Sequence, residues 1–313
     1  MPIELAEIPD LRVQEQIPLS TLTRFGIGGP ARVLADASTP KALRQAIEHL
    51  RTAQTPFTVI GGGSNLVASD EGFLGVVLRY TDDSMDFDED RVAVSAGAIL
   101  QELVDASIRR GLAGLHTMTG IPGWVGGAVY GNAGAYGHSI HEFVEKVRFL
   151  NERGDLLEIS NEACQFHYRE SIFKKRKDWI IVGTTLHLME GHPSDIDRAL
   201  EIRQTRDAKY PPSMKCAGSI FKNLLWKDLP ESAREQVPAS VVREGKVPSA
   251  YFLEQCGAKG MREGGIVVAD YHANLIYNEG SGTASQVRKL VAELKRRVEE
   301  RFGLLLEEEV QYV

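Results

Sequence analysis

The sequence predicts a fold of mixed α and β structure, on three observations. Apolar residues recur at helical spacing near both ends of the chain, in residues 40–53 and again after Thr283. Short runs rich in valine and isoleucine, such as residues 91–96, have the composition of strands. Glycine accounts for 30 of 313 residues and is clustered, which indicates special loops between these elements.

Helix and strand signals alternate through the first half of the chain. Thr39 and Pro40 suit the N-cap and the first position of a helix. The predicted buried face of that helix is Leu43, Ala46, Ile47 and Leu50. Strands are predicted at residues 56–60, 74–79 and 91–96, and a second amphipathic helix at residues 99–111.

The second half begins with strand signals and then changes character. A hairpin is predicted at residues 146–150 and 155–159, a long strand at 179–189, and a polar helix at 193–209 that Pro211 and Pro212 close. A domain boundary is therefore expected near residues 190–210. Further on come strands at 265–269 and 274–278, a helix that starts with the capping box Thr283 and Gln286, and a last strand at the C-terminus.

Composition excludes several classes of protein. The formal net charge of −7 gives no cationic surface for a nucleic-acid backbone. Three widely spaced cysteines, Cys164, Cys216 and Cys256, argue against a disulfide framework and a structural zinc site. The N-terminus lacks a secretion signal, and no stretch approaches the ~18 consecutive apolar residues of a membrane span. We expect a cytoplasmic protein without nucleic-acid or membrane partners.

Two familiar phosphate-binding motifs are disfavoured. Residues 26–31, Gly-Ile-Gly-Gly-Pro-Ala, formally fit a dinucleotide fingerprint, but Pro30 and the residues after it predict a strand where that motif requires a helix. A P-loop motif is absent from the sequence.

Two other glycine-rich segments are better candidates for binding an anion. Residues 61–66 read Gly-Gly-Gly-Ser-Asn-Leu directly after a predicted strand, so successive backbone N–H groups could converge on a phosphate. A tight turn between strands explains that segment equally well on spacing alone. Residues 120–137 hold seven glycines among apolar and aromatic residues, which predicts an ordered loop. Two such segments suit a ligand with a long phosphate spine.

These segments carry a resemblance to a known family. Residues 61–66, 120–128 and 131–137 are similar to the FAD-binding signatures of the UDP-N-acetylenolpyruvoylglucosamine reductases. Three further pieces match in order: Tyr-Arg-Glu-Ser at 168–171, Ala-Gly-Ser-Ile-Phe-Lys-Asn at 217–223 and Leu-Glu-Glu-Glu-Val at 306–310. The resemblance runs from about Thr21 to the last residue.

The resemblance implies an α+β fold with a vanillyl-alcohol-oxidase/PCMH-like, two-lobed FAD-binding domain and a smaller α+β substrate-binding domain. We place the FAD-binding domain at residues 1–195, with lobes at about 1–75 and 76–195. The substrate-binding domain is placed at residues 205–313, with its terminal strand returning to the active site. The short stretch between Arg169 and Ser219 indicates the shorter second type of the family.

The implied activity is an NADPH-dependent oxidoreductase of peptidoglycan precursor synthesis, in which noncovalent FAD reduces the enolpyruvyl ether of UDP-N-acetylglucosamine to UDP-N-acetylmuramate. Such a protein would serve cell wall biogenesis, cell shape and cell division as a monomer. The implied FAD-binding residues are Gly61, Gly62, Gly63, Ser64, Asn65, Leu66, Gly120, Ile121, Pro122, Gly123, Gly126, Gly127, Ala128, Asn132, Gly134, Ala135 and Tyr136.

The same resemblance implies three catalytic residues. Arg169 would bind the substrate carboxylate and stabilise the enolate-like charge, Ser219 would donate a proton, and Glu309 would orient the substrate or assist the proton transfer. Outside the resemblance, a surface ion pair, a turn serine and a solvated terminal carboxylate explain these residues as well.

The substrate diphosphate is assigned to Lys209 and Asn223 on the same grounds, with Lys222 nearby. Tyr210 is an alternative for capping the substrate. His138 and His141 have a spacing seen in metal sites but lack further ligands at suitable spacing, so we expect no metal. Two other hypotheses stay open: another noncovalent FAD-linked oxidoreductase or oxidase of the same superfamily, and a nucleotide-sugar-binding protein without redox activity.

Overall fold

The computed structural model describes the backbone of residues 2–313 and the side chains of residues 4–313. The chain divides into two compact units. The first contains the residues up to Ile17, Ala31–Gly62 and Leu74–Pro212. The second contains Pro18–Pro30, Gly63–Phe73 and Ser213–Val313. Each unit has its own core of buried apolar side chains.

Both units combine helices and strands, as predicted. The helices are α1 (Pro2–Ala6), α2 (Pro40–Thr52), α3 (Leu100–Arg109), α4 (Val125–Tyr130), α5 (Ile172–Lys175), α6 (Pro193–Lys209), α7 (Glu231–Arg234), α8 (Ser249–Gln255) and α9 (Ala284–Phe302). The strands are β1 (Leu11–Pro18), β2 (Pro30–Ala37), β3 (Phe57–Val59), β4 (Leu66–Val67), β5 (Phe73–Tyr80), β6 (Met85–Asp88), β7 (Arg91–Ser95), β8 (Leu112–Ala113), β9 (Gly134–Ala135), β10 (His138–Ser139), β11 (Val144–Leu150), β12 (Leu156–Ser160), β13 (Ile180–His187), β14 (Met189–Glu190), β15 (Lys215–Ser219), β16 (Leu224–Leu225), β17 (Lys246–Val247), β18 (Arg262–Glu263), β19 (Ile266–Val268), β20 (Leu275–Asn278) and β21 (Gln311–Tyr312).

The first unit is organised around two sheets. One has the strand order β1-β2-β5-β3, with β3 parallel to β5. The other has the order β12-β11-β13-β7-β6 and is antiparallel throughout. The predicted hairpin is its β11–β12 pair, in which Leu150 pairs with Leu156.

Helix α2 confirms the local sequence signals of the first unit. The Thr39 side chain accepts a hydrogen bond from the Ala42 N–H at 3.1 Å, which satisfies one donor at the helix N-terminus. All four residues of the predicted apolar face are buried. Burying one leucine or isoleucine side chain contributes about 1.5–3 kcal/mol, so this face holds the helix on the unit.

The second unit is built on an antiparallel sheet of order β15-β20-β19-β18 and the long helix α9. The predicted capping box is present, with mutual hydrogen bonds between Thr283 and Gln286. Asp70 adds a second cap from a distant part of the chain, accepting from the N–H groups of Ala284 and Ser285 at 2.7 and 2.9 Å. The stretch after the first glycine-rich segment is thereby tied to α9.

The expectation of a loop without regular structure at residues 120–137 was wrong, because the segment contains α4 and the short strand β9. Its glycines are compatible with a helix since Gly126 lies against Ala96, the residue after strand β7: a Cβ on Gly126 would lie 2.8 Å from the Ala96 Cβ. Close packing against the sheet compensates for the weak helix propensity of glycine. The prediction of a strand after Pro30 is confirmed by β2.

No helix within residues 2–313 combines the length and the apolar character needed to cross a membrane.

Candidate active site

The first glycine-rich segment follows β3 in the first unit. The Ile60 N–H still donates to the Leu78 carbonyl at 3.0 Å, and the ladder ends there. A Cβ on Gly62 would lie 2.8 Å from Trp124 Cδ1 and 3.3 Å from Gly123 Cα. Only a residue without a side chain allows this approach, so the first and second glycine-rich segments meet at Gly62.

The segment continues in the second unit with Gly63, which has φ +65°. A Cβ at this position would lie 1.8 Å from the Leu22 carbonyl oxygen, closer than any real contact. The Gly63 carbonyl accepts from the Arg24 N–H at 3.0 Å. Both the backbone angle and the close contact therefore require glycine here.

Backbone donors of this segment are available for a ligand. Within residues 2–313, the N–H groups of the five successive residues 61–65 donate no hydrogen bond to the protein. Consecutive unpaired N–H groups in a glycine-rich turn form a concavity that suits an anion. The alternative of a plain turn between strands does not need these free donors.

The second glycine-rich segment supplies further donors in the first unit. Gly120 and Gly123 have φ of +79° and +112°, and they lead into α4. Among the described residues, the N–H groups of Gly123, Trp124 and Gly127 donate no hydrogen bond to the protein. A Cβ on Gly127 would meet no protein atom within 4 Å, so the backbone there faces open space. This edge of α4 can accommodate a bound group.

Sequence reasoning missed a half-buried ion pair that supports this region. Arg79 donates two hydrogen bonds to Asp36, of 2.7 and 2.6 Å, in bidentate geometry. The Arg79 guanidinium also lies 5.7 Å from the centre of the Trp124 ring. Trp124 in turn contacts Gly62. The pair joins β2 and β5 beneath the meeting point of the two segments, and neither residue has a local sequence signal.

Asn132 has a supporting place in the structure. Its Nδ2 donates to the His167 carbonyl at 2.8 Å, and its Oδ1 accepts from the His141 N–H at 3.3 Å. The side chain is buried, and both polar atoms are occupied by protein backbone. Asn132 thus connects the end of the second glycine-rich segment to the turn that carries Arg169. Nearby, Gly134 and Ala135 pair with β10, and Tyr136 is exposed.

Arg169 lies at the tip of a tight turn in the first unit. His167 and Glu170 exchange backbone hydrogen bonds of 3.1 Å in both directions, which leaves Arg169 at φ +57°. A bulky residue in this left-handed region is strained, and such strain clusters at functional sites. The guanidinium donates to the carbonyls of Asn132 and Gly134 at 3.4 and 2.9 Å. These contacts fix the direction of its planar fork.

Ser219 ends β15 in the second unit. The preceding Gly218 has φ +75°, and the pairing with β20 is irregular between Cys216 and Ser219. After the irregularity Ser219 pairs with Leu275. Irregularities of this kind re-aim side chains and are common next to active sites.

Glu309 comes next to Ser219 through the backbone. The Glu309 N–H donates to the Ile220 carbonyl at 2.7 Å, and the Lys222 N–H donates to the Glu307 carbonyl at 2.9 Å. The terminal segment therefore runs alongside the residues that follow Ser219. Asn65, in the same unit, donates from Nδ2 to the Glu309 carbonyl at 2.9 Å. The structure thus brings the backbone of Glu309 next to Asn65 and to Ile220, the residue that follows Ser219.

The two residues assigned to the substrate diphosphate lie at element ends. Lys209 is the last residue of α6, and its Nζ lies 5.1 Å from the centre of the Tyr210 ring. Asn223 accepts from the Ser249 N–H at 3.3 Å at the start of α8. Lys222 is mostly buried and forms an ion pair with Glu307.

Family models match both parts of the chain. Residues 31–160 match the FAD binding domain, and residues 210–313 match the C-terminal domain of UDP-N-acetylenolpyruvoylglucosamine reductase. The fold is therefore α+β, with an FAD-binding domain followed by the C-terminal domain of that family.

Whole-length relatives carry the same name. A UDP-N-acetylenolpyruvoylglucosamine reductase from Solibacter usitatus is 56% identical over 313 residues, covering 99% of this chain and 100% of the relative. One from Bacillus velezensis is 34% identical, covering 96% and 94%. The crystal structure of the reductase from Thermus caldophilus is 31% identical with a TM-score of 0.75, covering 96% of this chain and 99% of that one.

Proposed function

The chain belongs to the UDP-N-acetylenolpyruvoylglucosamine reductase family, and we propose that the residues described above carry out the chemistry of that family. The protein is an FAD-dependent oxidoreductase of peptidoglycan precursor synthesis. It uses NADPH to reduce the enolpyruvyl ether of UDP-N-acetylglucosamine, and the product is UDP-N-acetylmuramate.

The glycine-rich segments fit the phosphate-rich part of FAD. Within the first unit, the free N–H groups of Gly61, Gly62, Gly123, Trp124 and Gly127 match the acceptor oxygens of a diphosphate. The open space beside Gly127 leaves room for a ligand against the backbone. When bound, FAD supplies the hydride chemistry that no side chain can perform. We assign its diphosphate to these backbone donors.

Arg169 is proposed to bind the substrate carboxylate. A hydride added to the methylene carbon of the enolpyruvyl group leaves an enolate-like charge that spreads onto this carboxylate. A guanidinium binds such a group through two parallel hydrogen bonds and stabilises the charge as it develops. The turn at φ +57° and the carbonyls of Asn132 and Gly134 hold the guanidinium in advance, which lowers the cost of organising the site.

Ser219 is proposed to donate the proton that completes the reaction. Its Oγ–H bond breaks, and the proton goes to the carbon next to the carboxylate, where the new C–H bond forms. The Ser219 oxygen then regains a proton from solvent or from the neighbouring Glu309. The irregular strand end at Ser219 and the backbone hydrogen bond from the Glu309 N–H to the Ile220 carbonyl support these two roles. Proton transfer by a positioned group contributes roughly 10²–10⁴-fold to the rate.

Lys209 and Asn223 are proposed to bind the diphosphate of the nucleotide sugar. A compact ammonium and an amide N–H are suitable donors to phosphate oxygens. Because the chain carries a net charge of −7, local cations have to hold a substrate that bears both diphosphate and carboxylate.

The five N–H groups of residues 61–65 are the observation that carries this function, because they fit a flavin diphosphate and donate to no other group within residues 2–313. Anaerobic stopped-flow absorbance tests the proposal by following the flavin with each substrate in turn. We expect NADPH to bleach the flavin and the enolpyruvyl substrate to restore its colour.

The Ser219→Ala variant tests the assignment of the proton donor. Flavin reduction by NADPH should be unchanged, whereas reoxidation by the enolpyruvyl substrate should slow by roughly 10²–10⁴-fold. Equal losses in both half-reactions would contradict the role of Ser219. A colourless protein that does not oxidise NADPH would instead favour a nucleotide-sugar-binding protein without redox activity. Flavin that stays attached to the acid-precipitated protein would favour an oxidase with covalently bound flavin.

We also propose that the protein acts as a cytoplasmic monomer without nucleic-acid or membrane partners. NADPH and nucleotide-activated sugars are cytoplasmic metabolites, and both substrates are small molecules. Provision of a wall precursor would link the enzyme to cell shape and cell division. Light scattering coupled to gel filtration tests the oligomeric state directly.

A further inference from the structure

A buried polar cluster lies directly behind the segment that follows Ser219. It consists of Asn274, which precedes β20, and Ser249, the first residue of α8. Both are nearly inaccessible to solvent, with exposures of 2% and 0%. Buried polar groups are costly unless they are fully hydrogen-bonded, so a cluster at this position calls for a reason.

The Asn274 side chain makes the hydrogen bonds of a missing strand neighbour. Its Oδ1 accepts from the Phe221 N–H at 2.9 Å, and its Nδ2 donates to the Phe221 carbonyl at 2.8 Å. The Asn274 backbone carbonyl accepts from the Ile220 N–H at 3.1 Å. One asparagine therefore pairs with the backbone N–H groups of residues 220 and 221 and with the Phe221 carbonyl, just after the regular hydrogen-bond ladder of β15 has ended.

The opposite edge of the same segment pairs with the terminal residues. Phe221 is bridged to Glu308, with the Glu309 N–H donating to the Ile220 carbonyl at 2.7 Å. Residues 220–221 are thus held between Asn274 on one side and the segment that carries Glu309 on the other. A change at Asn274 would shift Ser219 and Glu309 relative to each other.

Ser249 fixes the amide in this orientation. The Asn274 Nδ2 donates to the Ser249 Oγ at 2.8 Å, and that hydroxyl points to the Phe221 carbonyl at 3.4 Å. Both hydrogens of the Nδ2 group are used, and Oδ1 is occupied by Phe221. A fully satisfied network of this kind specifies one geometry.

From this arrangement we propose that Asn274, supported by Ser249, is a positioning residue for Ser219. Its amide replaces a backbone strand partner and sets the distance from the Ser219 hydroxyl to the reacting carbon. This inference rests on the proposed function, and specifically on Ser219 as the proton donor. Misplacement of a reacting group by about 1 Å can cost roughly 100-fold in rate.

The test uses two variants of the full-length holoenzyme, Asn274→Asp and Ser249→Ala, in anaerobic stopped-flow experiments. Asn274→Asp keeps the shape and the acceptor but removes the donor to the Phe221 carbonyl, and Ser249→Ala is the milder change if the first variant fails to fold. We expect flavin reduction by NADPH to stay within about twofold of wild type and reoxidation by the enolpyruvyl substrate to slow roughly ten- to hundredfold.

Asn278→Ala is the matched control. Asn278 ends the same strand and is similarly buried, but its Nδ2 donates to the Phe25 carbonyl at 3.2 Å, away from residues 220–221. Reoxidation in this variant should stay near the wild-type rate. A comparable loss in Asn278→Ala would overturn the proposal, because general loosening of the unit would then suffice.

Combination with Ser219→Ala separates positioning from a purely structural effect. If Asn274 acts through Ser219, Asn274→Asp should slow reoxidation no further in the Ser219→Ala background. The inference would be overturned if the losses in reoxidation rate were additive, or if folded Asn274→Asp and Ser249→Ala both reoxidised normally. Either result would leave the Ser219→Ala defect in place. If the proposed function itself is wrong, Ser219→Ala will show no selective defect, so the two failures are distinguishable.

Discussion

The side-chain amide of Asn65 donates a 2.9 Å hydrogen bond to the backbone carbonyl of Glu309, a residue 244 positions further along the chain. The return contact is made by the Gln311 N–H, which donates to the Asn65 carbonyl at 3.0 Å. One residue of the first glycine-rich segment therefore holds the terminal segment in place. Its side chain binds the Glu309 carbonyl, while its N–H group is among those that we propose to bind the cofactor.

Asn65→Asp should impair the enzyme more than Asn65→Ala. The aspartate keeps the size of the side chain but places an acceptor against the Glu309 carbonyl, whereas alanine only removes the hydrogen bond. Loss of the bond should cost about 1 kcal/mol of unfolding free energy. The measurements are urea denaturation and the rate of flavin reoxidation by substrate. Near-wild-type behaviour of Asn65→Asp would show that only the volume of the side chain matters.

Gly127→Ala and Gly63→Ala should separate cofactor binding from folding. An alanine at residue 127 meets no protein atom within 4 Å and improves helix propensity, so the protein should keep or gain up to about 1 kcal/mol of stability. Its methyl group projects into the space assigned to FAD, and flavin affinity should fall. Gly63→Ala collides with the Leu22 carbonyl at φ +65° and should destabilise the fold itself.

Thermal unfolding of the flavin-free proteins and fluorescence titration with FAD measure the two effects separately. Unchanged flavin affinity in Gly127→Ala would remove this edge of α4 from the cofactor site. A stable Gly63→Ala protein would show that the turn at Gly63 can adopt another backbone conformation.

The sequence predicted the helices and strands whose signals are local, such as α2 with its Thr39 cap and α9 with its capping box. It failed at α4, because glycine lowers helix propensity and the compensating contact of Gly126 with Ala96 is tertiary. Periodicity cannot report a contact between residues 30 positions apart in different elements.

The same limit applies to the site. Roles for the glycines and charged residues of the motifs could be predicted from the resemblance to a family. The residues that hold them in place could not be predicted in this way. Asn274 acts on Phe221 across 53 residues, and Arg79 reaches Asp36 across 43. These partners are backbone groups or ordinary surface-type residues, which carry no pattern until the fold brings them together.

Ser95→Ala should lower stability in a pH-dependent manner. Burial by itself raises the pKa of Asp82, but hydrogen bonds from Ser95, Ser84 and Tyr80 outweigh it and bring the pKa below its ordinary value. Such a carboxylate stabilises the fold above the pKa of the unfolded chain, and this contribution disappears as the pH falls through the folded pKa. The variant should therefore be less stable than wild type at pH 7, with the difference shrinking below about pH 4.

Urea denaturation at several pH values measures this effect. Ser107→Ala is the control, because the Ser107 hydroxyl is also buried but donates to the Leu103 carbonyl rather than to a carboxylate. Its destabilisation should not depend on pH. A constant difference between Ser95→Ala and wild type across the acid range would contradict the assigned role of Asp82.

Arg169→Lys should separate the two half-reactions. The Arg169 guanidinium donates to the carbonyls of Asn132 and Gly134, and its planar fork has the geometry to bind a carboxylate. A lysine ammonium keeps the charge but has no planar fork, so substrate affinity and the reoxidation rate should both fall, the rate by roughly 100-fold. Flavin reduction by NADPH does not involve the substrate carboxylate and should be unaffected.

Arg176→Lys is the matched control for this change. Arg176 is also in the first unit, but it forms an exposed ion pair with Asp178 and Glu152, and such pairs contribute little. Both half-reactions should run at the wild-type rate in that variant. If Arg169→Lys reoxidised the flavin as fast as Arg176→Lys, positive charge alone would be sufficient at residue 169. The strained turn that aims the guanidinium would then need another explanation.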